Sequence, residues 1–375
     1  MGSDDRTAPP RRAIVAVGAA RGGVAGVFRR VVVELRERGH DVQVIDVLAR
    51  RTPAAAGIAA ARSARGALKA ASTVHLEFGS NDTETFWFAV FAVLMRSDCV
   101  VIAHDYPKVI NAPAAGLLRP TSRLRSAFAY RVLCPLLDPL LVRILLRRAG
   151  VVVVFGEEAR QGWLDRGARC VAVIRLGGEP ATDGNPPPSK GDSVLFAGFL
   201  GPSKGIDTLL HAWTLISDMT DLPLIVAGGA GPPHDVWIAG LRQRFSHLPN
   251  APQFIGHVPQ EHDLQRLIGR AAVVALPYRY SSPASGVLVR AMSAGRPVVA
   301  TPVPAACAAI EDGENGLLVP IDNVDALAEA ILWLCQSPAE RDRLGAAAAG
   351  SALRLFTWKS HIDGLERAYA TAVRG

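Results

Sequence analysis

Long apolar runs are missing where a secreted or membrane-spanning chain would carry them. The first twelve residues, MGSDDRTAPPRR, hold no apolar stretch of the kind a secretory leader needs; acidic first, then basic and proline-containing, residues 1–12 are expected to form a loose tail. Position six is Arg6 rather than Ser or Thr, so Gly2 does not fit the myristoylation pattern. Cysteine is scarce: Cys99, Cys134, Cys170, Cys307 and Cys335 are odd in number, far apart and without metal-ligand spacing. They read as small core residues in a reducing, cytoplasmic compartment. Short-period repeats are absent. So are zinc-finger spacing and basic stretches interleaved with aromatics, and the net charge of +7 therefore does not indicate a nucleic-acid partner.

What is abundant is Ala, Val, Leu and Gly, the composition of buried parallel strands covered by helices. Short apolar runs bounded by turn residues recur at 13–17 (AIVAV), 41–47, 73–78 (TVHLEF), 99–103 (CVVIA), 151–155 (VVVVF) and 171–174. After the Pro/Gly-rich stretch 177–191 (GGEPATDGNPPPSKG) the pattern restarts at 193–197, 222–227, 253–255, 271–276, 297–301 and 316–319. Helical periodicity separates the strands, beginning with a helix over about 27–38. The fold class is therefore α/β, two doubly wound Rossmann-like domains facing a cleft. The expected organisation is a first domain over 13–180, a linker over 181–192, a second domain over 193–355, and a last helix over 356–375 that crosses back to the first domain.

The stretch 277–297 (PYRYSSPASGVLVRAMSAGRP) carries the clearest chemistry. It runs from the end of a buried strand through a loop of small residues into an amphipathic segment, which Gly295 and Pro297 terminate. Strand, small-residue loop and helix start make an anion site, because the first helical amides lack internal partners and sit at the positive end of the dipole. An ordinary strand–helix connection has the same composition, so both readings stand. The loop after the first strand, 18–26 (GAARGGVAG), is not a clean G-x-G-x-x-G, and no acidic residue serves a ribose after it; this counts against a hydride-transferring oxidoreductase.

Two further features lie in the first half. His104 follows the strand 99–103, where open α/β sheets bind ligands; it is either functional or a loop-capping residue. Residues 119–148 hold seven arginines and one aspartate among many leucines, with Pro135 and Pro139 interrupting any single spanning helix. They read either as a membrane-surface segment or as core helices with solvated arginines. Positive charge is concentrated on this side: residues 1–188 carry 26 basic and 17 acidic side chains, a balance of +9, and residues 189–375 carry 15 and 17, a balance of −2.

In order, GFLGPSKG (198–205), LIVAGGAGPP (224–233), FIGHVP (254–259), ALP (275–277), SSPASGVLVR (281–290), AMSAGRPVVAT (291–301) and DGENGLLVP (312–320) resemble the motifs of the retaining glycosyltransferases of family 4. The resemblance covers about 194–318, is reinforced by FTW at 356–358, and is weaker in the first half, where it rests on the Gly-Gly-Val of 22–24 and on His104-Asp105. It implies the GT-B fold, a nucleoside-diphosphate sugar donor bound mostly by the second domain, an acceptor bound by the first, retention of anomeric configuration, and no metal cofactor. It further implies a donor site comprising Gly22, Gly23, Lys204, Gly229, Val258, Ser282, Ser285, Gly286, Val287 and Arg290, with His104 as the catalytic residue touching the transferred sugar.

The chain departs from the family pattern at three points. Phe199 stands where the family has the Arg of G-R-x-x-x-x-K-G; Ser282 and Arg290 replace both Glu of E-x7-E; and Gly286 falls one residue later than the family's glycine. Arg290 is then either a solvated helix residue or a replacement for the charge lost at Phe199. The expected function is a glycosyltransferase of glycan, glycolipid or glycosylated-metabolite biosynthesis. The alternatives are a nucleotide-sugar epimerase, which needs an acid–base set for proton work, and a non-catalytic nucleotide-sugar-binding subunit. A lipid-linked or polyanionic acceptor reached by peripheral contact of 119–148 with the inner membrane face fits the basic first half, as does a soluble enzyme with solvated arginines.

Overall fold

The computed structural model describes residues 11–18, 22–47, 52–79, 81–105, 114, 117, 132, 134–179, 187–231, 234–281 and 284–374. The chain divides into two compact units. The first is Met1–Ile174 together with Lys359–Gly375, and the second is Arg175–Trp358.

In the first unit the order is β1 (Ala13–Gly18), α1 (Gly22–Glu37), β2 (Asp41–Val44), α2 (Pro53–Ser63), α3 (Arg65–Ala70), β3 (Thr73–Phe78), α4 (Thr83–Met95), β4 (Cys99–Ala103), α5 (Cys134–Arg148), β5 (Val151–Val154), α6 (Glu157–Asp165) and β6 (Val171–Val173). The sheet runs β2-β1-β3-β4-β5-β6 with every pairing parallel. Strands covered on both faces must be apolar along their length, and β4 and β5 are fully buried. The exception is β3, in which all six residues are buried although two of them are His75 and Glu77.

Helix α1 begins at Gly22, five residues before the expected start at 27. Its buried face of Ala25, Phe28, Val32 and Leu35 runs at helical spacing back to the glycines. Gly22 and Gly23 are therefore the first turn of a helix and not part of a free loop.

The second unit contains β7 (Val194–Ala197), α7 (Ile206–Ile216), β8 (Leu224–Ala227), α8 (Asp235–Arg244), β9 (Gln253–Gly256), α9 (Glu261–Arg270), β10 (Val273–Leu276), α10 (Gly286–Ser293), β11 (Val298–Ala300), α11 (Pro304–Cys307), β12 (Leu317–Leu318), α12 (Val324–Gln336) and α13 (Pro338–Leu355). Its parallel sheet has the order β12-β11-β10-β7-β8-β9. That is the Rossmann order: the chain builds outward from β7 on one side, then returns to start again at β10.

Two boundaries differ from the composition-based expectation. Gly178 donates its amide to the Phe356 carbonyl (2.8 Å) and bridges to Thr357, so 177–178 already belong to the second unit. The expected linker 181–192 ends in a docked turn. Pro188–Lys190 forms a 3-10 turn, and the buried Arg341 of α13 donates to the carbonyls of Pro188 and Ser189, both at 2.9 Å. The same guanidinium donates to Leu334 and Cys335 at 2.7 Å, closing the carbonyl end of α12.

The last helix, α14 (Trp358–Arg374), is part of the first unit from Lys359 onward. Polar contacts fix its register. Arg38 pairs with Asp363 and Glu366, His40 lies 2.9 Å from Glu366, and the Tyr369 hydroxyl lies 2.8 Å from His75 Nδ1. Around them Ile362, Leu365, Ala368 and Ala372 are buried.

Arg341→Met keeps the aliphatic stem but removes the guanidinium from four carbonyls, of which those of Pro188 and Leu334 keep a backbone amide donor (Gly191, 3.0 Å; Ser337, 3.3 Å). It should cost at least about 2 kcal/mol of stability. Urea denaturation followed on the second unit checks this; a change within about 0.5 kcal/mol, the scale of an ordinary surface substitution, would show that water replaces the guanidinium.

Candidate functional site

In the Rossmann order, loops leaving the two central strands diverge and open a crevice at the strands' carboxyl ends. In the second unit those strands are β7 and β10, and their loops are 198–205 and 277–285. Gly198 has φ +135°, and Gly205 has φ +63°. A Cβ on Gly205 would fall 1.8 Å from the Pro277 carbonyl oxygen, so only glycine allows the two loops to meet there.

Between these glycines Pro202–Lys204 makes a 3-10 turn. The amides of Arg279 and Tyr280 donate to the Ser203 carbonyl (2.9 and 3.2 Å), and the Arg279 guanidinium donates to that of Pro202 (2.8 Å). Arg279 is itself held by Asp207 (2.7 Å) and Asp322 (2.6 Å). The turn is thus clamped to the β10 loop. Its Lys204 ammonium lies 3.8 Å from the centroid of the Tyr278 ring, a cation–π contact. Tyr278 is buried, and burial pushes its phenol up to about 12, so it stays neutral.

The helix start lies beside this lysine turn. Ser285 is the N-cap of α10, its hydroxyl accepting from the Leu288 amide (3.3 Å) and sharing a hydrogen bond with Tyr278. The Gly286 and Val287 amides belong to the first turn, which offers them no intrahelical acceptor. A Cβ on Gly198 would lie 3.8 Å from the Tyr278 hydroxyl and 4.0 Å from a Val287 methyl, which measures how closely β7, Tyr278 and the helix start converge. The structure therefore brings Lys204, Ser285, Gly286 and Val287 together.

The other residues expected in the donor site are placed as follows. Gly229 follows β8, and its carbonyl accepts from Leu200 (3.0 Å); its Cα also faces His257, beside the half-buried Val258. Arg290 is turned back along its own helix, donating to the Gly286 carbonyl (2.9 Å) and pairing with Glu261 (2.7 Å). Phe199 is half-exposed, edge-on to His234 with centroids 6.0 Å apart. Ser282 lies outside the described residues, as do 119–131 of the basic segment. Among the described residues no group of three or more His, Cys, Asp or Glu could hold a metal ion.

In the first unit the equivalent reversal lies between β1 and β3. A Cβ on Gly79, just past β3, would lie 3.1 Å from Val24 in the first turn of α1 and 3.5 Å from Asp105. The helix start with Gly22 and Gly23 and the end of β4 with His104 therefore share one edge of the sheet. Behind His104 is a feature that sequence reasoning missed. Its Nε2 lies 2.7 Å from Glu77 Oε1, while Glu77 Oε2 lies 2.9 Å from His75 Nε2. Burial would push the Glu77 carboxyl up, but the hydrogen bonds from both histidines outweigh it and hold the group down at about 2. The signal was present in TVHLEF: His and Glu two residues apart point to the same face of a strand whose other face is wholly apolar.

Comparison with known proteins bears on the second unit first. Residues 191–337 match the family model described as Glycosyl transferases group 1. Over 191 residues the chain is 32% identical to the phosphatidyl-myo-inositol mannosyltransferase of Mycobacterium leprae, covering 49% of this chain and 48% of that protein. Over 193 residues it is 34% identical to the D-inositol 3-phosphate glycosyltransferase of Mycobacterium bovis, covering 48% of this chain and 37% of that protein. The chain thus spans less than half the length of these curated relatives. Among solved structures it is similar to Anabaena HepE in complex with UDP-glucose, with a TM-score of 0.66 and 16% identity over 96% of this chain and 99% of that one. This likeness extends over both units, and the fold is that of the GT-B glycosyltransferases.

The depressed Glu77 carboxyl has a pH consequence. A group held below its unfolded value contributes stability that is complete above that value, here 4.5, and is lost as the pH falls toward about 2. Glu77→Gln should therefore flatten the acid limb of the stability profile between these two values. Chemical denaturation at stepped pH, followed on the first unit, reads it; an unchanged acid limb would mean that the carboxylate is not the group being protonated.

Proposed function

We propose that the protein is a glycosyltransferase that takes a nucleoside-diphosphate sugar as donor and transfers the sugar to an acceptor hydroxyl with retention. The observation that carries this reading is the convergence of Lys204 with the open amides of Gly286 and Val287 at the reversal point of a Rossmann sheet. An ammonium and the positive end of a helix facing one crevice suit a diphosphate, and the leaving group of such a reaction is a nucleoside diphosphate. The match to a glycosyltransferase family over this same unit supports the assignment.

In this reading the diphosphate charge is met by Lys204 and backbone amides, and no metal is required. His104 serves the reacting sugar, positioning a hydroxyl or stabilising developing positive charge. Arg290 is committed to Glu261 and to its own helix, so it holds the helix start and does not replace the arginine absent at Phe199.

For the acceptor, α5 supplies the supporting observation. Leu136 and Leu140, one helical turn apart, are 70% and 54% exposed, and Arg147 and Arg148 lie in the last turn. Exposed leucines followed by arginines suit a membrane surface and a lipid-linked acceptor. No described helix is long and apolar enough to cross a membrane.

A panel of nucleotide sugars, with products separated after incubation, tests the function. Release of free nucleoside diphosphate with a transferred or hydrolysed sugar is expected; an isomerised nucleotide sugar would make the protein an epimerase, and binding without turnover would make it a partner subunit. On whichever donor binds, Lys204→Ala should cost roughly 1.5–3 kcal/mol of affinity, the range of a charge-assisted hydrogen bond. Unchanged affinity in a folded variant removes Lys204 from the site. Flotation with anionic vesicles at low salt tests the membrane side of this reading: binding is expected, and a protein that stays unbound there overturns peripheral membrane contact and favours a soluble acceptor.

A further inference from the structure

The least expected feature of the first unit is a carboxylate at the centre of its sheet. Glu77 is 1% exposed, and no arginine or lysine pairs with it among the contacts of the described residues. Its two oxygens are taken instead by two histidine rings, His104 at 2.7 Å and His75 at 2.9 Å. His75 continues the chain to the Tyr369 hydroxyl on α14 at 2.8 Å.

The directions of these bonds follow from the donor inventory. An ionised carboxylate only accepts, so both histidines present Nε2–H to Glu77. In the tautomer that gives every donor an acceptor, the Tyr369 O–H then donates to His75 Nδ1. Tyr369 is suited to this, because burial and the nearby Glu77 charge raise its hydroxyl well above the ordinary value and keep the proton on it. At the other end His104 is left with Nδ1 as its unused ring atom. Its ring also leans on Phe155, with centroids 4.7 Å apart, so it is braced from the side as well as from behind. The two ends differ in exposure. The His104 side chain is 11% exposed, whereas those of His75 and Glu77 are 1% exposed.

We propose that Glu77 is a positioning residue for the transfer reaction: it holds His104 through Nε2–H, so that the atom His104 presents to the substrate is Nδ1. His75 and Tyr369 complete the device by satisfying the second carboxylate oxygen, so the charge is not left with an empty lone pair in the core. A purely structural role would not require the chain to end on a solvent-reaching ring at the carboxyl end of β4. The proposal rests on the functional reading above for the word transfer, but its geometric content does not.

The test separates the two. In the wild-type protein, proton and nitrogen NMR of the labelled imidazoles should show a downfield, slowly exchanging Nε2–H for His104, assigned by its disappearance in His104→Ala. In Glu77→Gln that resonance should disappear or move upfield, because the acceptor is no longer charged. Nucleoside-diphosphate release from UDP-glucose and from GDP-mannose is the kinetic probe. Glu77→Gln should lower kcat by about 10- to 100-fold, the range for removal of an orienting partner, with little change in KM for the nucleotide sugar. In the His104→Ala background the same substitution should have no further effect on kcat. A wild-type His104 with bare Nε2, an unchanged kcat in Glu77→Gln, or an equal loss in the His104→Ala background each overturns the proposal. The tautomer is read without substrate, so a failure of turnover on both nucleotide sugars counts against the functional reading alone, and the NMR result still decides the role of Glu77.

Discussion

The proposed donor site depends on the backbone amides at the first turn of α10, which have no acceptor within their own helix. A helix cannot meet its own first N–H groups, and the chain must either cap them or offer them to a ligand. Here one is capped: the Ser285 hydroxyl takes the Leu288 amide. The Gly286 and Val287 amides lie at the start of α10, after the loop that leaves β10, and the neighbouring loop from β7 places Lys204 against Tyr278 beside them. The surrounding contacts serve that arrangement. Position 205 requires glycine on two counts, its left-handed φ and the Pro277 carbonyl that a side chain would strike, and Arg279, anchored by Asp207 and Asp322, ties the lysine turn to the β10 loop. In the proposed function this pre-organisation, whose cost is met during folding, need not be met again when a diphosphate binds.

The first unit solves the opposite electrostatic problem. It buries a negative charge, which is expensive unless every lone pair finds a donor. Two histidines supply those donors, and a tyrosine from a helix nearly 300 residues downstream completes the chain. This also explains why α14 is held by polar contacts as well as apolar ones. Arg38, His40 and His75 all find partners on it. The chain terminus thus supports the sheet edge that carries His104.

Much of this was legible in the order of residues, for identifiable reasons. Runs such as VVVV at 151–154 and VVAL at 273–276 have no polar break, so their burial on both faces could be read directly. The loops at the ends of β7 and β10 were legible from their glycines, proline and serine, whereas the placing of Lys204 beside Ser285 and Gly286 came from the family resemblance and not from local composition. Other features were hidden because their cause is distant in sequence. Residues 188–190 read as linker from proline content, yet a buried Arg341 some 150 positions later docks them. The start of α1 is hidden because two glycines resemble a loop, whereas the buried face through Ala25 and Phe28 carries the helix back to Gly22. His75 and Glu77 look like ordinary members of a strand, because the tyrosine and the second histidine that satisfy them come from 294 and 27 positions further along.

The most direct measurement of the central claim is a crystal structure of the protein with a bound nucleoside diphosphate. The account predicts diphosphate oxygens within roughly 3 Å, hydrogen-bond distance, of the Gly286 and Val287 amides and of the Lys204 ammonium. A diphosphate bound elsewhere on the protein, with the first turn of α10 facing only water, would contradict it.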